Sequence, residues 1–395
     1  MSEQITRPES TQPANVLCEP VQYLEAERER LQEGMALCLS GGGYRAMLFH
    51  TGVLWRLNEI GLLPKLNRIS SVSGGSITAG VLALNWKKLR FQDGVASNFT
   101  DEIVNPIMRL GGRSIDVSSV FRGSFWFGTI GDKMTRAYRK HLFGDATLQD
   151  IIDEQPGVSP RFVFNATNVQ SGVLWRFMKP YMRDYRVGEV LKPKVPLARV
   201  VAASAAFPPV LSPVELDLNP KDFTPNSGTD LQGDEFRRRI VLSDGGVYDN
   251  LGLETAWKRY KTIFVSDAGG GFEPEANPSG DWVRHAVRIL FTIDSQVRSL
   301  RKRQIVGAYL DKIRLGAYWA IGENLDAFAA TNPLKCPFNS TCKLAQIGTR
   351  LKKIDKTTQQ KLINWGYAAS AWRYGQFYDK TLPLATAFPF PNAGV

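Results

Sequence analysis

Residues 35–88 read MALCLSGGGYRAMLFHTGVLWRLNEIGLLPKLNRISSVSGGSITAGVLALNWKK, and the order of apolar runs and glycines within them decides the fold. Met35–Leu39 is a short apolar run that stops at Ser40-Gly41-Gly42-Gly43, the pattern of a buried strand entering a tight turn. From Tyr44 to Ile60 the positions Ala46, Phe49, Val53, Leu54, Leu57 and Ile60 recur mostly three and four apart. That spacing predicts a helix, and Gly61 supplies its C-terminal cap. The unit then repeats: Ile69–Val72 predicts a strand, Ser73-Gly74-Gly75 a turn, and residues 76–88 a second helix. Parallel neighbours need a crossover between them, so this order predicts an α/β fold with a mainly parallel sheet covered by helices.

Further along, residues 161–167 (RFVFNAT) and 173–178 (VLWRFM) predict a hairpin turning at Ser171-Gly172. Residues 197–206 predict a small-residue helix stopped by Pro208-Pro209. Residues 217–238 read as an exposed loop, and Ile240–Leu242 and Thr262–Val265 as two more short strands. A long basic helix is expected over 281–314 and a last one over 357–378. The expected division is a polar tail at 1–30, an α/β domain at 31–275, and a helical extension at 276–395 packed on the same domain.

With 43% apolar and 22% charged residues, the chain reads as a globular protein large enough to bury a core without disulfides or metal. Its N-terminus lacks the apolar core of a signal peptide, and no stretch reaches the ~18 apolar residues of a membrane span. A cytoplasmic protein is expected. Cys336 and Cys342, in a Pro/Asn/Ser loop, are expected to be free thiols, since two cysteines make a poor metal site. A net charge of +11 suits an anionic partner such as a membrane surface, or simply a basic solvated surface. No aromatic-plus-basic module for nucleic acid is apparent.

Three places carry candidate chemistry. Ser73 lies at a sharp strand-to-helix turn, with the small residue Ser71 before it and Gly74 and Gly75 after it. Such an elbow projects a hydroxyl clear of the sheet and aims helix N–H groups at developing negative charge. Gly41-Gly42-Gly43 exposes backbone N–H groups that could hold a phosphate or a tetrahedral oxyanion. The string also fits the dinucleotide fingerprint, but the acidic residue that the fingerprint places after the second strand is missing. Arg45 opens the first helix, where it could brace the glycine loop or bind a substrate phosphate. The base is the third place. None of His50, His141 and His285 sits in a loop after a strand. Asp244 does, with Gly245-Gly246 turning the chain behind it, and a buried carboxylate can take a serine's proton directly.

Taken together, Cys38–Ser76, Ala202–Val210 (AASAAFPPV) and Ser243–Asn250 (SDGGVYDN) resemble the patatin-like phospholipases. The resemblance spans roughly residues 35–270 and implies a three-layer α/β/α sandwich and a lipid acyl hydrolase that needs no metal or other cofactor. By motif, Ser73 would be the nucleophile and Asp244 the base. Gly41, Gly42 and Gly43 would furnish the oxyanion hole, with Arg45 stabilising that loop. Ser40, Ala46 and Ser71 stand where the family has Asp, Gly and Gly. The implied substrate is a phospholipid or other lipid ester, met at a membrane surface. The aromatic segment Phe121–Phe127 reads either as a lid over an acyl channel or as core. Other readings remain open: a nucleotide-binding protein using Gly41–Gly43, an acyltransferase or non-lipid esterase on the same dyad, or a hydrolase effector switched on by a small-molecule activator.

Overall fold

The computed structural model describes residues 31–115, 130–271, 274–328 and 332–395. The N-terminal tail and the Phe121–Phe127 segment lie outside these residues. The architecture grows from β1 (Gln32–Leu39), an apolar strand buried on both faces. Leu37 and Leu39 point into a core beneath α1 (Gly43–Glu59) and α2 (Gly74–Asn85), whereas Ala36 and Cys38 point into a second core on the opposite face. Helices cover both faces, which is why the strand reads as a continuous apolar run instead of an alternating one.

The other strands of its sheet are β2 (Arg68–Ser71), β3 (Arg161–Asn168), β4 (Val173–Phe177), β5 (Tyr181–Asp184), β6 (Gly188–Leu191), β7 (Val214–Asp217), β8 (Arg239–Asp244), β9 (Tyr260–Asp267) and β10 (Leu315–Ala320). They form one mixed sheet in the order β10-β9-β1-β2-β3-β4-β5-β6, with β8 joining β3 and β7 joining β8. The five strands from β10 to β3 run parallel; β4 to β6 extend the sheet as an antiparallel meander. The protein therefore has an α/β/α fold with a sheet mostly parallel at its centre, as expected.

The edge of β3 is shared, and this positions the site. Its first half pairs with β2 in parallel, placing Ser71 opposite Phe164. Its second half pairs with β8 in antiparallel fashion, placing Asp244 opposite Ala166. Thus β2 and β8 approach one another head-on along β3, and their carboxyl ends stop two register positions apart. The sequence places Asp244 at the end of a strand but gives no sign that this strand runs against its neighbour.

Three other elements depart from the sequence expectation. The helix α3 spans Leu197–Ser204 and stops before Ala205 and Ala206, whose carbonyls are used outside the helix. The expected loop at 217–238 begins in β7, a four-residue V-E-L-D strand too short to betray its alternation, and holds a helical turn at Asp234–Arg237. The long basic helix α4 (Trp282–Leu310) ends short of the expected 314, and the chain returns as β10 along the edge of β9. The last helix, α5, spans Lys356–Phe377 and crosses α1 backbone to backbone. A Cβ at Gly52 would stand 1.8 Å from the Ile363 carbonyl oxygen, and one at Gly366 1.9 Å from that of Phe49, so only glycine permits the crossing.

Candidate active site

Ser73 follows β2 and caps α2 with φ 51° and ψ −118°. Side chains rarely adopt this backbone region, and holding one there costs on the order of 1–3 kcal/mol. The surroundings hold it. The Ser73 amide donates to the Ser204 carbonyl oxygen and hydroxyl, and its carbonyl accepts from the amides of Ser76 and Ile77. Gly74 must be glycine, because a Cβ there would lie 2.2 Å from the Gly43 carbonyl oxygen. The Gly75 amide is shared between the carbonyls of Ser40 and Val72. The Ser71 hydroxyl reaches the Val163 carbonyl and receives a bond from Ser76, so it fills the elbow without facing the site.

The glycine loop divides. The amide of Gly41 is taken by the Asn250 carbonyl at 3.1 Å. Among the described residues, no hydrogen bond occupies the amides of Gly42, Gly43 or Gly74. Gly42 and Gly43 line the same cavity as Ser73, and Gly74 follows Ser73 directly; open amides in that position suit a developing oxyanion. At the next position of α1 the Tyr44 amide is taken by the Arg350 carbonyl. Arg45 is buried and spans two segments. Its guanidinium donates to the Ala268 carbonyl on one side and to the Ala345 and Ile347 carbonyls on the other. Of the two roles read from the sequence, its contacts match a brace: all three partners are backbone.

Asp244 ends β8 fully buried. Its amide donates to the Ala206 carbonyl, and its own carbonyl accepts from the Thr167 hydroxyl. Gly245 donates to the Ser204 carbonyl, and Gly246 donates to Asp244 Oδ1 at 2.6 Å. Oδ2 has no aligned hydrogen bond, although the Ser73 hydroxyl is near enough to favour the ionised form. Burial pushes this carboxyl up to about 7; the Gly246 amide and Ser73 oppose the shift and the charge of Asp294 adds to it. A carboxylate with that basicity, beside a hydroxyl, can act as a general base near neutral pH.

None of His50, His141 and His285 lines the cavity that holds Ser73 and Asp244. His50 is buried between the Ser266 hydroxyl and the Ser40 carbonyl, and burial lowers its pKa to about 4, so it stays neutral. No group of three or more His, Cys, Asp or Glu among the described residues is placed to hold a metal ion. Cys336 and Cys342 are free thiols, as is Cys38.

The sequence profile of the patatin-like phospholipases matches residues 37–257, more than half of the chain. The chain belongs to the patatin-like phospholipase family. No curated protein matches the sequence significantly. Among solved structures, human GIVD cytosolic phospholipase A2 aligns with 14% identity and a TM-score of 0.40, covering 65% of this chain and 52% of that one. VipD from Legionella pneumophila aligns with 15% identity and a TM-score of 0.35, covering 86% and 66%. ExoU of Pseudomonas aeruginosa, in complex with SpcU, gives 17% identity and a TM-score of 0.25 over 72% and 53%. This chain thus spans between about half and two thirds of their lengths.

In this family member, Ser73, Asp244, Gly42 and Gly43 open into one cavity of about 1060 Å³. That volume accommodates a ligand as large as a lipid. Its walls are largely apolar on one side, where Phe207, Pro208, Pro209 and Leu211 lie, and carry Arg298, Arg350 and Lys352 elsewhere. Several of its parts were not read from the sequence. Asn250 accepts the Gly41 amide and places its side chain against Gly246; Ser204 holds Ser73, Gly245 and Ser76. Both lie inside the motif segments that carried the resemblance, so motif context was the available signal. Asp294 and Arg298 carry no such signal, because only the fold brings α4 over the cavity.

Proposed function

We propose that the chain is a serine acyl hydrolase of lipid esters that works through a Ser73–Asp244 dyad. One arrangement carries the reading: a strained serine and a buried, basic carboxylate meet where β2 and β8 end head-on, in a lipid-sized cavity beside unpaired amides. Membership of a family of lipid hydrolases supports the substrate class.

In the proposed cycle, Ser73 Oγ attacks the ester carbonyl while Asp244 accepts its proton. The amides of Gly42 and Gly43 hold the oxyanion; losing one such donor typically costs ~10²–10³ in rate. The tetrahedral intermediate collapses, Asp244 returns the proton to the departing alcohol or lysophospholipid, and Ser73 keeps the acyl group. Water then adds to the acyl-enzyme, giving a proton to Asp244, and the fatty acid leaves as Ser73 recovers its hydrogen. Gly41 acts through its bond to Asn250, fixing the loop and not touching the oxyanion. Arg45 steadies the start of α1 behind that loop through the Ala268, Ala345 and Ile347 carbonyls. The test is fatty-acid release from mixed phospholipid bilayers, with products identified by mass. Wild type should release fatty acid and react once with a fluorophosphonate probe, whereas Ser73→Ala should do neither. Release by Ser73→Ala at the wild-type rate would refute the dyad.

A further inference from the structure

Helix α4 enters with six consecutive exposed residues, Asp281–Ala286. A helix lying along a protein body shows solvent on one face only. Exposure around a whole turn means that this end stands clear of the body. Beside Asp281, Arg284 and His285 it carries Trp282, 82% exposed, and Val283, 49% exposed, and further along the helix Ile289 and Ile293 are 46% and 55% exposed. A single exposed apolar residue needs no explanation, but a contiguous group of this size does. One turn further along, Val287 and Phe291 line the catalytic cavity, and Phe291 stacks on Phe207 at 5.8 Å between ring centres. The free end of α4 therefore stands at the cavity mouth. Val210, which lines the same cavity, is also exposed.

We propose that this end of α4, carrying Trp282, Val283, Ile289 and Ile293, docks on an anionic lipid bilayer and seats the mouth of the cavity against it. The proposal rests on the reading of the cavity as a lipid-ester site. Two observations select a bilayer over a protein as the occupant. A protein seated on this end would cover the mouth that the next turn lines, whereas a bilayer buries the apolar side chains and delivers substrate through the same contact. The net charge of +11 complements anionic head groups, while on the exposed turn itself Arg284 pairs with Asp281 and leaves no net negative charge to repel them. A tryptophan at the outermost position also suits the boundary between head groups and acyl chains.

The test uses the full chain and vesicles of phosphatidylcholine with phosphatidylglycerol. The double variant Trp282→Ser, Ile293→Ser should bind these vesicles roughly tenfold or more weakly in a sedimentation assay. Its release of fatty acid from vesicles should fall in parallel. Its kcat/KM on a soluble short-chain p-nitrophenyl ester should stay within about twofold of wild type, because neither residue lines the cavity. Trp282→Ser alone, at a position with almost no contact to the body, guards against misfolding and should move the same way. Equal vesicle binding by wild type and both variants overturns the proposal. So does a wild-type dimer that the double variant converts to monomer while vesicle binding is unchanged, which would make the face a self-association surface. Ser73→Ala should bind vesicles as wild type does. If wild type binds through α4 and releases no fatty acid, the docking stands and the hydrolase reading falls.

Discussion

Asp244 and His50 are buried ionisable groups whose shifts oppose each other in their effect on stability. The carboxyl of Asp244 rises from 3.8 to about 7 on burial. Its contribution to stability is therefore full below about pH 4 and is lost as pH rises through about 7. The imidazole of His50 falls from 6.5 to about 4. Its contribution is full above about pH 6.5 and is lost as pH falls toward 4. Catalysis needs the ionised Asp244, so kcat/KM on a soluble ester should rise about tenfold per pH unit below pH 7 and level off above it. Asp244→Asn should lose roughly 10²–10⁴ of that rate and be more stable than wild type at pH 8 by up to about 4 kcal/mol. In that variant the opposing Asp244 slope is gone, so urea stability should climb more steeply between about pH 4 and 6.5 than in wild type. A rate profile without an ionisation near 7, or an Asp244→Asn protein weaker than wild type at pH 8, would contradict this assignment. Ser73 and Asp244 were legible in the sequence because each sits between a short apolar run and two glycines. The open or occupied state of the Gly41–Gly43 amides was not, since it depends on Asn250 and Arg350, far along the chain.

At the scale of elements, the two strand–glycine–helix units were legible because their periodicities are local. What depended on distant partners was not. The direction of β8 is set by its pairing with β3 and β7, and a three-residue apolar core has no polarity of its own. β10 was missed because its six residues follow a long helix with no turn signal except Lys312, which takes φ 59°. The α1–α5 crossing is another long-range feature that one residue type nevertheless controls. Gly52→Ala places a methyl group 1.8 Å from the Ile363 carbonyl oxygen, so the helices must part and their shared core must open. The expected cost is about 3 kcal/mol in chemical denaturation. If Gly52→Ala unfolds at the wild-type urea midpoint, the two helices do not meet as described.

Across the whole molecule, the C-terminal third is built into the fold and into the wall of the cavity. Strand β10 covers the edge of β9, and α5 covers α1. Trp319, Leu362, Ile363 and Trp365 are fully buried, and at ~1.5–3 kcal/mol for each large apolar side chain these four alone rival a typical net stability of ~5–15 kcal/mol. The segment between them closes on the site: Arg45 grips the Ala345 and Ile347 carbonyls, the Arg350 carbonyl caps Tyr44, and Leu351 lines the cavity. The profile match ends at residue 257, so family similarity alone would place the boundary of a self-sufficient domain near there. The packing argues otherwise. A chain ending at residue 275 would expose the edge of β9 and the apolar face of α1, and it should accumulate as aggregate, with no cooperative thermal transition and no reaction with a fluorophosphonate. A soluble 31–275 fragment that melts cooperatively and labels at Ser73 would instead show that residues beyond 275 only decorate a finished hydrolase.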